Sequence, residues 1–307
     1  MSPERVSAGA VRGLVARMRV RIAAVPRKIR QVRRHPSNDG AVGRQALTAT
    51  KFEIASVFGR SVSVPFSRSL RVTAAKRGDS SGRVPYARLP DWPEMAVWRS
   101  LLTPGDIFVD VGANVGLYTL LALEAGATAI AVEPAADMQS LLTDNVASNR
   151  FAPAELHRAA LMDKPGTALL DGPDPNRRSV AAGASGHGDG EMVVASTLDL
   201  VIAGRPVRGV KIDVEGMEHA VLLGGQLTLA TPELELEWND ASLGALGEDR
   251  SAVAALLEAS GFCLHQPDEA GKMVAFEAGT VLTFGRDVLA ARGRALAHLE
   301  TAAWEHR

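Results

Sequence analysis

The chain has 307 residues, of which 46% are hydrophobic and 22% charged, with a formal net charge of -1. That suits one large soluble α/β domain with an appendage, or two small domains. The single cysteine, Cys263, excludes a disulfide framework and a cysteine-based zinc site, and no apolar run reaches the roughly 18 residues needed to span a bilayer. The N-terminus, with arginines scattered through its apolar residues, does not read as a signal peptide, so a cytoplasmic protein is expected.

The charge is unevenly placed. Residues 1–35 hold ten Lys/Arg against one acid, Glu4, which leaves a net -10 on the remaining 272 residues. Val11, Leu14, Val15, Met18 and Ile22 recur at helical spacing, so a short amphipathic helix can form there. Residues 1–40 are read as a basic, mobile, solvated arm lying on the acidic body, in preference to a nucleic-acid or membrane contact. His35-Pro36-Ser37-Asn38-Asp39-Gly40 is a turn-rich break. Residues 41–93 form an appendage in which the β-type runs 52–58 and 61–66, separated by Gly59-Arg60, are expected to pair as a hairpin.

From residue 94 to 307 the pattern becomes strand, helix, strand. A short helix over 94–102 precedes a continuous apolar strand at 107–111, a helix at 115–125, a strand at 128–132 and a helix at 135–148 opening after Pro134. Further strands are expected at 155–161, 209–214, 234–238, 262–265 and 280–284, with helices at 217–224, 252–260 and 287–300. Cys263 is expected to be a small buried hydrophobe on its strand. The stretch 171–191 is glycine-rich and fits no regular element, so it reads as an insertion or a lid. Alternation at this pitch predicts an α/β fold of Rossmann-like type, with a mostly parallel seven-stranded sheet, helices on both faces and a small N-terminal β appendage.

In such a sheet the ligand lies beyond the carboxyl ends of the strands, at the turn from the first strand into its helix. That turn reads Asp110-Val111-Gly112-Ala113-Asn114-Val115-Gly116. Gly112 permits a sharp turn and Gly116 a close start to the helix. The pattern is not the G-x-G-x-x-G of a dinucleotide site, and a carboxylate two residues before the first glycine repels a pyrophosphate but attracts an ammonium. Glu133 stands at the end of the second strand, 21 residues beyond Gly112, where a carboxylate can accept from both hydroxyls of a ribose. Together Asp110, Gly112, Asn114, Gly116 and Glu133 point to an adenosyl ligand carrying an amino acid.

The chain resembles the FkbM-type methyltransferases. The resemblance runs from Phe108-Val109-Asp110-Val111-Gly112-Ala113-Asn114-Val115-Gly116 through Glu133-Pro134, Asn145, Asn149, Gly166 and Thr197-Leu198-Asp199. It ends with Lys211-Ile212-Asp213-Val214-Glu215-Gly216, Glu218 and the Glu237 that closes 232–237, and covers roughly 94–285. It implies a class I fold, bound S-adenosylmethionine, and methylation of a hydroxyl on a small molecule such as a natural product, sugar or lipid.

A hydroxyl acceptor benefits from a base. Asp213 is the first candidate, as base or as metal ligand, and Glu215 the second; being two apart on a strand end, they share a face. Glu237, at the end of the next strand, can join Asp213 in an oxygen site for Mg²⁺. Glu215 and Glu218 also suit the N-terminus of the following helix. Lys211 reads as a salt-bridged structural residue, while His219 and His187 read as surface residues. Methylation of an amine, or cofactor binding without turnover, are the rival functions.

Overall fold

In the computed structural model the described residues are 8–75, 78–151, 154–172, 179–182, 190–214, 216–230, 235–239, 250–268, 272–275 and 287–293. The chain divides into two compact units, Met1–Pro90 and Asp91–Glu305.

The first unit opens with α1 (Ala8–Arg34), followed by α2 (Val42–Val57) packed along it, and a hairpin of β1 (Val62–Phe66) and β2 (Leu70–Ala74). The basic segment expected as a mobile arm is thus largely one 27-residue helix. Its C-terminal part is held by Val32, which is fully buried, and by Asn38, whose side-chain amide donates to the carbonyls of Val32 (2.9 Å) and Tyr86 (2.8 Å).

The run 52–58 is not the first strand of a hairpin. It forms the last turns of α2, with Ala49, Phe52, Glu53 and Val57 buried at helical spacing while Ile54 and Phe58 face solvent. The 3.6-residue period outweighs the local β preference. The hairpin instead uses 62–66 and 70–74, where Val64, Phe66, Leu70, Val72 and Ala74 face inward alternately with exposed or half-buried neighbours.

The second unit contains, in chain order, α3 (Glu94–Leu101), β3 (Ile107–Val111), α4 (Leu117–Glu124), β4 (Thr128–Val132), α5 (Ala136–Ser148), β5 (Glu155–His157) and β6 (Ala160–Leu161). Next come β7 (Gly166–Asp171), β8 (Ser179–Ala182), β9 (Glu191–Ser196), α6 (Leu198–Ile202), β10 (Gly209–Ile212), α7 (Glu218–Leu223) and α8 (Gln226–Leu229). The described remainder is β11 (Glu235–Asn239), α9 (Arg250–Ala259), β12 (Cys263–Pro267), β13 (Met273–Ala275) and β14 (Asp287–Ala291).

The main sheet has the order β13-β12-β14-β11-β10-β3-β4-β5. The five strands from β11 to β5 are parallel, whereas β14, β12 and β13 join by antiparallel pairing. The α/β, Rossmann-like class is as expected, but the described sheet has eight strands rather than seven. The parallel strands are apolar on both sides: Val109, Val111, Ile130, Val132, Val210 and Ile212 form one core with Leu198, Val221 and Leu257.

Three further expectations change. Residues 287–291 are a strand, not the start of a helix; Val288, Leu289, Ala290 and Ala291 are all fully buried, and a strand covered on both faces has no alternation to betray it. The expected strand 155–161 breaks into β5 and β6, which belong to different sheets. The stretch 171–191 is flanked and entered by strands, with β7 pairing antiparallel to β8 and β9 in a four-stranded sheet β6-β9-β7-β8. Cys263 is on a strand but exposed. The strand expected at 280–284 lies outside the described residues.

Candidate active site

Chain order reverses beside β3: β4 pairs on one side and β10 on the other. Crevices at such switch points, beyond the carboxyl ends of the strands, are where α/β sheets take ligands. Gly112 leaves β3 with φ 76°, and a Cβ on it would lie 1.9 Å from the carbonyl oxygen of Asp213. Only glycine lets the turn lie against the exit of β10. The N–H groups of Gly112 and Ala113 both donate to the Val132 carbonyl, at 2.9 and 3.0 Å, which lays the turn across the end of β4. Asn114 takes a left-handed conformation (φ 52°) and its Oδ1 accepts from the Val115 N–H at 2.9 Å. Gly116 (φ 85°) opens α4. From α5, buried Asn145 donates to the Val115 carbonyl at 3.0 Å, and Asn149 donates to the Asn145 carbonyl at 2.7 Å. Both asparagines therefore hold the turn and its supporting helix.

Glu133, 7% exposed, accepts from the Asn114 N–H through Oε2 (2.8 Å) and from the Ala135 N–H through Oε1 (2.9 Å). Asp110, 1% exposed, accepts through Oδ2 from the N–H (2.8 Å) and hydroxyl (2.6 Å) of Thr119 in α4. Its Oδ1 is buried and has no hydrogen-bond partner among the described residues. Burial pushes the Asp110 carboxyl above its usual range, against the pull of the Lys211 ammonium and the Thr119 hydrogen bonds. Thr119 is a site residue that sequence reading missed. Its signal was chemical: a polar side chain inside the wholly buried run 117–122 needs a partner.

On the other side of β3, the Asp213 N–H donates to the Val111 carbonyl at 3.0 Å. The Asp213 carboxylate is 37% exposed and receives the Lys211 ammonium at 3.2 Å. Lys211, with its side chain 7% exposed, stands in register with Asp110 on β3 and Glu237 on β11, and its Nζ lies 4.8 Å from the centroid of the Tyr118 ring. The next turn is tied by Glu218, which is fully buried and accepts from the Val214 N–H at 3.2 Å. Burial raises its carboxyl to about 7, although backbone N–H donors oppose the shift.

Glu215 and His187 lie outside the described residues; Glu237 is placed on β11 by its backbone alone. His219 is half-buried on α7. Among the described residues no group of three His, Cys, Asp or Glu side chains is close enough to hold a metal ion, so a Mg²⁺ site at Asp213 would need Glu237 or Glu215. Thr197 and Asp199 have a structural part to play. The Thr197 hydroxyl accepts from the Leu200 N–H (3.2 Å) and caps α6, while the Asp199 carboxylate caps α8 by accepting from the N–H groups of Leu227 (2.9 Å) and Thr228 (2.8 Å).

A parallel sheet, a glycine turn at its switch point and a carboxylate at the end of the neighbouring strand define a Rossmann-like nucleotide-binding architecture. Residues 110–264, a little over half of the chain, match the Methyltransferase FkbM domain, and the chain belongs to that family of methyltransferases.

Solved structures resemble the chain weakly and at low identity. The FkbM methyltransferase of Methylobacillus flagellatus is 13% identical with a TM-score of 0.40; the alignment covers 63% of this chain and 47% of that one, so the chain spans less than half of its length. A SAM-dependent methyltransferase from Agrobacterium tumefaciens is 8% identical (TM-score 0.42, covering 76% and 70% of the two chains). The magnesium protoporphyrin IX methyltransferase of Synechocystis, solved with bound SAM, is 12% identical (TM-score 0.39, covering 65% and 77%). The family assignment rests on residues 110–264. No curated protein matches the chain.

Proposed function

We propose that this methyltransferase moves the methyl group of S-adenosylmethionine to a hydroxyl of a small molecule. One juxtaposition carries the reading: Asp213, whose carboxylate is partly exposed, follows β10 with its backbone carbonyl directly against the glycine turn that ends β3. That neighbourhood supports reading the strand ends of β3 and β10 as the two sides of one site, with the cofactor on the first and a candidate base on the second.

The residues fit the donor by their chemistry. Asp110 keeps a buried carboxylate oxygen that can accept from an ammonium, and Glu133 is a carboxylate at the strand end where ribose hydroxyls are bound in such folds. Gly112, Asn114 and Gly116 shape the backbone against which the ligand would lie. When bound, the donor supplies an electrophilic sulfonium methyl group. What the chain then has to do is hold an acceptor oxygen in line with it and take the hydroxyl proton. Asp213 is the base for that proton at its carboxylate, with Glu215 as the second candidate. The Lys211 ammonium on Asp213 favours a base over a metal ligand, because it occupies an oxygen that Mg²⁺ would need. A Mg²⁺ held by Asp213 and Glu237 is the alternative means of activating the hydroxyl.

The test is transfer of label from S-adenosylmethionine to panels of hydroxylated and amino acceptors, with and without chelator. Asp213→Asn should lower turnover by roughly 10²–10⁴-fold with cofactor affinity unchanged. Methylated amines as the only products would establish the N-methylating rival. Cofactor binding without turnover on any acceptor would favour a scaffold, and loss of activity with chelator would favour the Mg²⁺ site.

A further inference from the structure

The first unit carries a surface to which the proposed function gives no role. Helix α1 holds nine arginines and lysines and no acid. Val15, Met18, Val25, Ile29 and Val32 fall three, four or seven residues apart, on one stripe of that helix. The stripe changes its surroundings along its length. Val32 is fully buried, Val25 and Ile29 are half-buried, and Val15 and Met18 are 41% and 39% exposed. The C-terminal half is anchored to its own unit by the Asn38 bond to the Val32 carbonyl and by the Lys28 ammonium, 4.3 Å from the centroid of the Tyr86 ring. The N-terminal half continues the same apolar face past those anchors.

Arg19 is one turn from Val15, and Arg27, Arg30, Arg33 and Arg34 are exposed further along. An apolar stripe bordered by arginines is the pattern of a helix that lies in the plane of a bilayer, with its apolar side chains among the acyl chains and its cations on anionic headgroups. A phosphate backbone would satisfy the cations and leave Val15 and Met18 in water, so lipid suits both halves of the pattern where nucleic acid suits one. Among the described residues no helix is long and apolar enough to cross a membrane, and α1 is far too cationic to do so.

We propose that the N-terminal half of α1 docks this protein on the surface of an anionic membrane, with Val15 and Met18 inserted and the arginines on the headgroups. The folded anchor distinguishes this from loose attraction of a basic tail: the helix is already formed, so binding pays no ordering entropy.

Sedimentation of the full chain with phosphatidylcholine vesicles, with and without phosphatidylglycerol, tests the proposal independently of any methyl transfer. Binding should require the anionic lipid and weaken with salt. Arg19→Ser should weaken it roughly fivefold, the factor that about 1 kcal/mol makes. Val15→Glu with Met18→Glu should abolish it, with the circular dichroism and melting temperature of the chain unchanged. Absence of binding to anionic vesicles overturns the proposal, as does binding that survives the glutamate pair. Salt-sensitive binding to RNA or duplex DNA that survives the pair, with none to vesicles, overturns it in favour of nucleic acid.

Discussion

The carboxylate of Glu133, at the end of β4, accepts the backbone N–H of Asn114, in the turn that follows β3, at 2.8 Å. A residue expected to meet the cofactor therefore also fixes the shape of the loop on which the cofactor would lie. Asp110 is in the same position through Thr119. Replacing either with alanine should weaken S-adenosylmethionine binding by about 1–3 kcal/mol, as seen by calorimetry, and should lower the melting temperature as well, because buried N–H donors lose their acceptor. Unchanged affinity in both variants would mean that the ligand lies elsewhere.

Gly112→Ala is expected to be more damaging than Gly116→Ala. The added methyl at 112 meets the backbone oxygen of Asp213 at 1.9 Å, which cannot move without disturbing β10, whereas at 116 it meets the Leu142 side chain at 2.9 Å. Both positions have positive φ, so both substitutions carry strain as well. Urea unfolding should place Gly112→Ala below Gly116→Ala, and Gly112→Ala by at least about 2 kcal/mol below the native chain. A native-like midpoint for Gly112→Ala would contradict the contact between the turn and β10.

Lys211 sits beside two carboxylates, one of them buried. Lys211→Met keeps the aliphatic stem and removes the cation, which leaves Asp110 without its counter-charge. Stability at neutral pH should fall by about 3 kcal/mol, the order found when one partner of a buried pair is lost. The deficit should shrink in acid, where Asp110 takes up a proton. A deficit that is constant across pH would assign Lys211 to packing against Tyr118 alone.

Glu218 supplies a pH signature of its own. Its carboxyl is raised from 4.5 to about 7 in the folded chain by burial. Below the unfolded value both states hold the proton and the group imposes no penalty. As pH rises from about 4.5 the unfolded chain ionises first, so stability declines until the folded group ionises near 7 and is then level. The whole decline is on the order of 3 kcal/mol. Glu218→Gln keeps an acceptor for the Val214 N–H and removes the ionisation, so its stability should be flatter across that window. Parallel curves for the two proteins would show that the decline comes from other groups.

The centre of the sheet was legible because its strands are short, apolar throughout and bounded by turn residues: 107–111 and 128–132 were placed to the residue. The positions of Asp110, Glu133 and Asp213 followed from strand ends. Their commitments did not. That Asp110 is tied to Thr119, and that Lys211 faces Asp110, depends on the register of β3 against β10, which spacing along the chain does not specify. Residues 287–291 misled because complete burial erases periodicity. Residues 52–58 misled because a β-rich composition hid a helical one.

β14 joins β11 on one edge and β12 on the other, although it comes last of all the described strands. Among the described residues, β14 alone joins the five parallel strands to the β12–β13 pair, so until residue 291 has emerged the facing edges of β11 and β12 await their partner. During synthesis the unit thus passes through a form with unpaired strand edges, which can pair with a neighbouring nascent chain. The strand that arrives last acts as the keystone, and slow translation or early release just ahead of it is where aggregation of this protein would begin.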